Sequence, residues 1–88
     1  MHITLKLFAM LSDHFPPDAD NQKRNGNEMP LLVADGATVQ GVIDRCRLPP
    51  RLVHLVLVNG IYINPAARSS RILAAGDEIA IWPPIAGG

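Results

Sequence analysis

The chain closes with Trp82-Pro83-Pro84-Ile85-Ala86-Gly87-Gly88, and the group there with chemistry to offer is the carboxylate of Gly88. A carboxylate is a poor electrophile. It forms a new acyl bond only after another agent has supplied a leaving group. The residues before it suit presentation to such an agent. Proline has no N–H and a fixed φ, so Pro83-Pro84 should end strand pairing and start an extended segment. From Pro83 to Gly88 that segment spans at most about 20 Å at roughly 3.3 Å per residue. Gly87 and Gly88 have no Cβ, so they fit a narrow channel and reach angles closed to other residues. Alone, the Gly-Gly pair reads first as a chain end with no task. The reactive reading gains its weight from the strand and the two prolines ahead of it.

The other reactive side chains form no second constellation. Cys46 is the lone cysteine and falls on the apolar face of a helix, where it reads as a small core residue rather than a nucleophile. His2, His14 and His54 are widely spaced and follow no metal-ligand pattern, so no metal site is expected. His54, within an apolar run, reads as a buried or edge-facing ring. Asp77 and Glu78 are adjacent at the start of a strand and point to opposite faces, which suits a turn better than acid–base work. Arg45, Arg47, Arg51, Arg68 and Arg71 read as solvated surface, with steering of an acidic partner as the sharper alternative.

Composition narrows the classes further. The 88 residues are enough for one compact domain, and a hydrophobic share of 48% supplies a core. Eight Lys+Arg balance eight Asp+Glu, which argues against a non-specific nucleic-acid binder. A single cysteine fits a reducing compartment. The opening Met1-His2-Ile3-Thr4-Leu5-Lys6 lacks the pattern of a signal peptide. The apolar run 52–58 is too short to span a bilayer. The expectation is a cytoplasmic protein with no membrane partner.

The elements that must hold the tail are legible from periodicity. Residues 3–8 alternate, with Ile3, Leu5 and Leu7 on one side and Thr4, Lys6 and Phe8 on the other, as in a strand with one buried face. Residues 13–30 are polar and rich in turn formers and read as a long exposed loop. Residues 29–34 read as a second strand closed by Asp35-Gly36. Thr38 sits where a helix N-cap belongs, and Val39, Val42, Ile43 and Cys46 form one helical face. Leu48-Pro49-Pro50 ends that helix. The run 52–58 is apolar on both parities and predicts a central strand buried on both faces. Asn59-Gly60 is a hairpin turn, and residues 61–63 form a short strand. Residues 64–75 read as irregular, with Ile72 and Leu73 plugging one end of the core. Ala75-Gly76-Asp77 turns into a last strand, 78–82. A helix between strands 2 and 3 should place strand 3 parallel to a neighbour, and the terminal strands should pair in the middle. The result is an α+β, β-grasp arrangement: a mixed sheet of four or five strands with one main helix on one face. The domain is expected to span 1–82, with 83–88 as a flexible tail.

Several stretches together resemble a known family. They are Leu5-Lys6-Leu7-Phe8-Ala9, Gly36-Ala37-Thr38-Val39, Val56-Leu57-Val58-Asn59-Gly60, Leu73-Ala74-Ala75-Gly76-Asp77-Glu78-Ile79 and the tail Trp82 to Gly88. In that order they resemble the small subunit of molybdopterin synthase and, more broadly, the ubiquitin-like sulfur carriers that include the thiazole-synthesis carrier. Pro83-Pro84 tilts the resemblance towards the molybdopterin branch. The resemblance implies that an E1-like, ATP-dependent enzyme adenylates Gly88. A sulfur donor such as a sulfurtransferase then leads to a thiocarboxylate, and the large synthase subunit holds the pterin that receives the sulfur. ATP belongs to the activating partner; this chain binds no cofactor and is not itself catalytic. Phe8, Tyr62 and Trp82 fall on non-core parities and, with Pro83, Pro84 and Ile85, mark the expected partner-binding surface. The bland alternative is that these rings simply cover the open face of the sheet. Two further functions stay open: a carrier for thiamin thiazole, and a ubiquitin-like modifier that joins Gly88 to lysines.

Overall fold

The structure, a computed structural model, describes residues 1–17, 19 and 23–84. Five strands form one sheet: β1 (His2–Leu7), β2 (Glu28–Leu32), β3 (Leu55–Val58), β4 (Ile61–Tyr62) and β5 (Glu78–Trp82). Their order across the sheet is β2-β1-β5-β3-β4. The terminal strands β1 and β5 lie side by side and parallel, while β2 flanks β1 and β3 flanks β5, both antiparallel. One helix, α1 (Val39–Arg45), crosses from β2 to β3. This is the β-grasp fold.

The alternation in β1 does what its period demands. Ile3, Leu5 and Leu7 are buried, and they join Val39, Val42 and Ile43 of α1 in one core with Met29, Leu31, Val56, Val58, Ile79 and Ile81. Each fully buried aliphatic side chain contributes about 1.5–3 kcal/mol relative to an exposed one. Three of them on α1 therefore outweigh the loss of about 1 kcal/mol that a helical glycine, Gly41, imposes. The helix is only seven residues long, so its ends matter. The Thr38 hydroxyl accepts from Gly41 N at 3.0 Å, as the N-cap position predicts. Val39 N donates to Arg71 O at 3.0 Å and Gln40 N to Arg68 O at 2.9 Å. With Val42 N donating to Thr38 O, all four donors of the first turn are satisfied.

That arrangement corrects the reading of residues 64–75 as merely irregular. They run past the start of α1 and supply its missing acceptors, with Leu73 N donating back to Ala37 O. Leu73 is buried as expected, but Ile72 is 58% exposed, because its bridge to Thr38 turns it outward. The run 52–58 also differs from expectation. Leu52 closes a 3-10 turn, His54 is exposed, and β3 begins at Leu55. Strand β3 is second from the edge, and Leu55 and Leu57 are only half-buried. It runs in the direction of β2, yet β1 and β5 stand between them, so both of its neighbours are antiparallel. Finally, the polar segment 13–30 is anchored. Phe15 (9% exposed) and Pro16 are buried, and the Arg24 guanidinium lies 4.7 Å from the centre of the Phe15 ring. Cys46 caps α1 from within the core.

Candidate docking face and tail exit

The face of the sheet turned away from α1 is set by register. One cross-strand row reads Glu28, Lys6, Ala80, Leu57 and Tyr62 from edge to edge. The next row towards the end of β5 pairs Trp82 with Leu55. Phe8 follows Leu7, whose partner is Ile81, so its ring arrives beside Trp82. The two rings stack with centroids 3.9 Å apart and planes 7° from parallel. Such a pair adds about 0.5–1.5 kcal/mol beyond its buried area. Tyr62, 51% exposed, shares the face but sits at its far edge across β3. Among the described residues no ring contact joins it to Phe8 and Trp82.

The sheet stops where the prolines predict. Phe8 N donates to Ile81 O at 3.1 Å and His54 N to Trp82 O at 3.0 Å. Pro83 has no N–H to continue the ladder; its ring is buried, and Pro84 is exposed. The chain thus leaves the sheet directly beside the aromatic stack. Ile85, Gly87 and Gly88 lie outside the described residues.

Charge on the open face is confined to its other side. Lys6 Nζ is 2.8 Å from Glu78 and 3.5 Å from Glu28. The hydrogen bond to Glu78, ahead of the attraction of the two carboxylates, raises the Lys6 ammonium above its ordinary value. The open face is therefore polar near Glu28, Lys6 and Glu78, and apolar around Ala80, Leu57, Leu55 and Trp82.

The opposite end of β5 is a closed clasp, which reading the sequence as separate turns did not anticipate. Asn59 and Gly60 both have positive φ, 52° and 81°, as a tight hairpin requires. The Asn59 amide nitrogen donates to Asp77 Oδ1 at 2.9 Å, and its carbonyl oxygen accepts from Glu78 N at 2.9 Å. Ala74 N donates to Asp77 Oδ2 at 2.8 Å, and Thr4 N to Asp77 O at 2.9 Å. The bond from Ala74 N, then that from Asn59, then the Arg71 charge, hold the Asp77 carboxyl below the ordinary 3.8. The assignment of Asp77 to a turn is correct. The sequence signal for its partner was the second turn motif, Asn59-Gly60.

A small β-grasp domain with an extended exit at the end of β5 and no cluster of three or more potential metal-ligating side chains among the described residues is a ubiquitin-like carrier or modifier, not a catalyst. The ThiS family model matches residues 19–88, and the chain belongs to this family of ubiquitin-like sulfur carriers. The chain is similar to the crystal structure of SAMP1 from Haloferax volcanii, with 25% identity over 100% of both chains and a TM-score of 0.66. A second structure, of the small archaeal modifier protein 1 from H. volcanii, is 24% identical over 96% of this chain and 98% of that one, with a TM-score of 0.64. It shares the fold. No curated protein matches the sequence. Proteins of this kind generally work with E1-like activating enzymes. Among the described residues no helix is long and apolar enough to cross a membrane.

Proposed function

We propose that the chain carries sulfur on Gly88 for the assembly of molybdopterin, the pterin of molybdenum and tungsten cofactors. The observation that supports this most is the exit of Pro83-Pro84 from the sheet beside the Phe8–Trp82 stack. A partner that grips the stack has the tail directed into its own active site. The activating enzyme lets a Gly88 carboxylate oxygen attack the α-phosphorus of ATP, and pyrophosphate leaves. Sulfur at the oxidation level of hydrosulfide then attacks the carbonyl carbon and AMP leaves, which yields the thiocarboxylate. In the large synthase subunit the sulfur passes to the pterin precursor. Phe8, Trp82, Pro83, Pro84 and Ile85 make the partner contacts, and Tyr62 extends them at the sheet edge. Gly87 and Gly88 enter the channel.

The likeness to a protein titled a modifier favours a second reading, in which the same adenylate is attacked by a lysine amine and an isopeptide forms. Intact-mass analysis after incubation with an E1-like enzyme, ATP and hydrosulfide separates the two. Exchange of one oxygen for sulfur on the free chain, followed by loss of that sulfur to a pterin precursor with a large synthase subunit, is the expected result. Conjugates on lysines with no sulfur transfer to pterin would overturn it in favour of the modifier.

A further inference from the structure

Arg68 is the one buried side chain whose polar atoms have nothing to bind among the described residues. The residue is 7% exposed, and both Nε and Nη2 are closed to solvent without a hydrogen-bond partner. Its main chain is fully committed: Arg68 N donates to Pro65 O, and Arg68 O accepts from Gln40 N at the start of α1. The backbone therefore pins the residue where it is. Beside it lies a cavity of about 110 Å³, lined by Arg68, Gln40, Ile43, Asp44, Leu48 and Val53. That volume exceeds the about 30 Å³ that one liquid water occupies. A guanidinium is always charged and has no acceptor of its own, so it can be satisfied only by an acceptor brought to it.

We propose that this cavity is a binding site for a carboxylate, with Arg68 as its anchoring residue. Nε and Nη2 are the two donors on one edge of the guanidinium, and together they form the fork that meets both oxygens of a planar carboxylate. Binding turns that edge into the adjoining cavity and replaces apolar packing with two charge-assisted bonds. A monoanion suits the site better than a phosphate dianion for two reasons. Only one guanidinium is offered, and the Asp44 carboxylate shares the lining. Asp44 is not the missing partner, because its Oδ1 accepts from Gln40 Nε2 at 2.9 Å and it makes no ion pair with Arg68. Ile43, Leu48 and Val53 would cover the methylenes of a bound acidic side chain. The site sits on the helix side of the domain, away from the sheet face that carries the proposed tail chemistry, so it is independent of that reading.

The test follows the Arg68 Nε–H resonance by NMR in the full chain while sodium acetate, N-acetyl-glutamate amide, N-acetyl-glutamine amide and sodium sulfate are added at constant ionic strength. Saturable shifts with acetate and the glutamate derivative, absent with the glutamine one, are expected. A response to the glutamate derivative at least tenfold tighter than to acetate would assign the site to a protein side chain; equal responses would assign it to free small carboxylates. Asp44→Asn, on the exposed side of the helix, should tighten acetate binding severalfold by removing a competing charge. Arg68→Gln should abolish the saturable response, and the Asn variant keeps the question open to measurement if the Gln variant does not fold. Sulfate binding tighter than either carboxylate overturns the carboxylate assignment. No saturation in either the natural chain or Asp44→Asn overturns the site.

Discussion

The two ends of β5 (Glu78–Trp82) solve opposite problems. At its start, Asn59, Ala74, Thr4 and Asp77 satisfy one another, and the clasp leaves little for a partner to bind. At its finish, two half-buried rings lean on each other at 3.9 Å, and the strand ends on residues that cannot donate. One end is saturated with hydrogen bonds and serves the fold. The other presents apolar surface and a chain exit, and serves whatever the domain meets. Stability and recognition are thus separated along a single strand, so each end can be altered with a different readout.

The largest expected effect lies past the presenting end. Removal of Gly88 should abolish thiocarboxylate formation entirely and leave the thermal midpoint unchanged, as mass spectrometry and calorimetry on the same sample can check. If the midpoint falls, the tail belongs to the fold and the two ends are not separate.

At the clasp, Asp77→Ala leaves the Asn59 amide and Ala74 N without acceptors. The expected loss is about 2–3 kcal/mol of stability, or roughly a 10 °C fall in midpoint for a domain of this size. Sulfur loading at temperatures where the variant is folded should be unchanged.

At the aromatic end, Trp82→Ala should weaken binding to the activating enzyme by about 1–3 kcal/mol, tenfold or more. Phe8→Ala should do the same, and the double variant should lose less than the sum, since the rings act as a pair. A fall in stability with no change in affinity would mean that the rings only cover the sheet.

Acid should distinguish the ends as well. The Asp77 carboxyl is held below 3.8 by the bonds from Ala74 N and Asn59 and by the charge of Arg71. A depressed folded pKa contributes stability that is fully present above the unfolded value and is lost as pH falls through the folded one. Denaturant midpoints of the natural chain should therefore decline below about pH 4, and those of Asp77→Asn should decline less. The smallest effect is at α1 (Val39–Arg45). Gly41→Ala gains up to about 1 kcal/mol of helix propensity. Its new Cβ sits 3.3 Å from the capping Thr38 hydroxyl, so the net change should be a few tenths of a kcal/mol by chemical denaturation.

Much of this molecule is local, and local features are what a sequence states outright. Alternation at Ile3, Leu5 and Leu7 follows from the two-residue period of a strand, and positive φ at Asn59-Gly60 follows from the residues that tolerate it. The N-cap at Thr38 and the end of pairing at Pro83 follow from donors and acceptors that single residues have or lack. What only the tertiary structure decided is pairing between distant segments. Phe15 looked like loop until Arg24 and the core closed over it. Residues 68–73 looked irregular until their carbonyls met the first turn of α1. The bond from Asn59 to Asp77, the stack of Phe8 on Trp82, and the burial of Arg68 beside an empty cavity all depend on strand register and on where a helix lands. Residue type sets what each group can bond, but which partner it receives is settled only when the chain closes on itself.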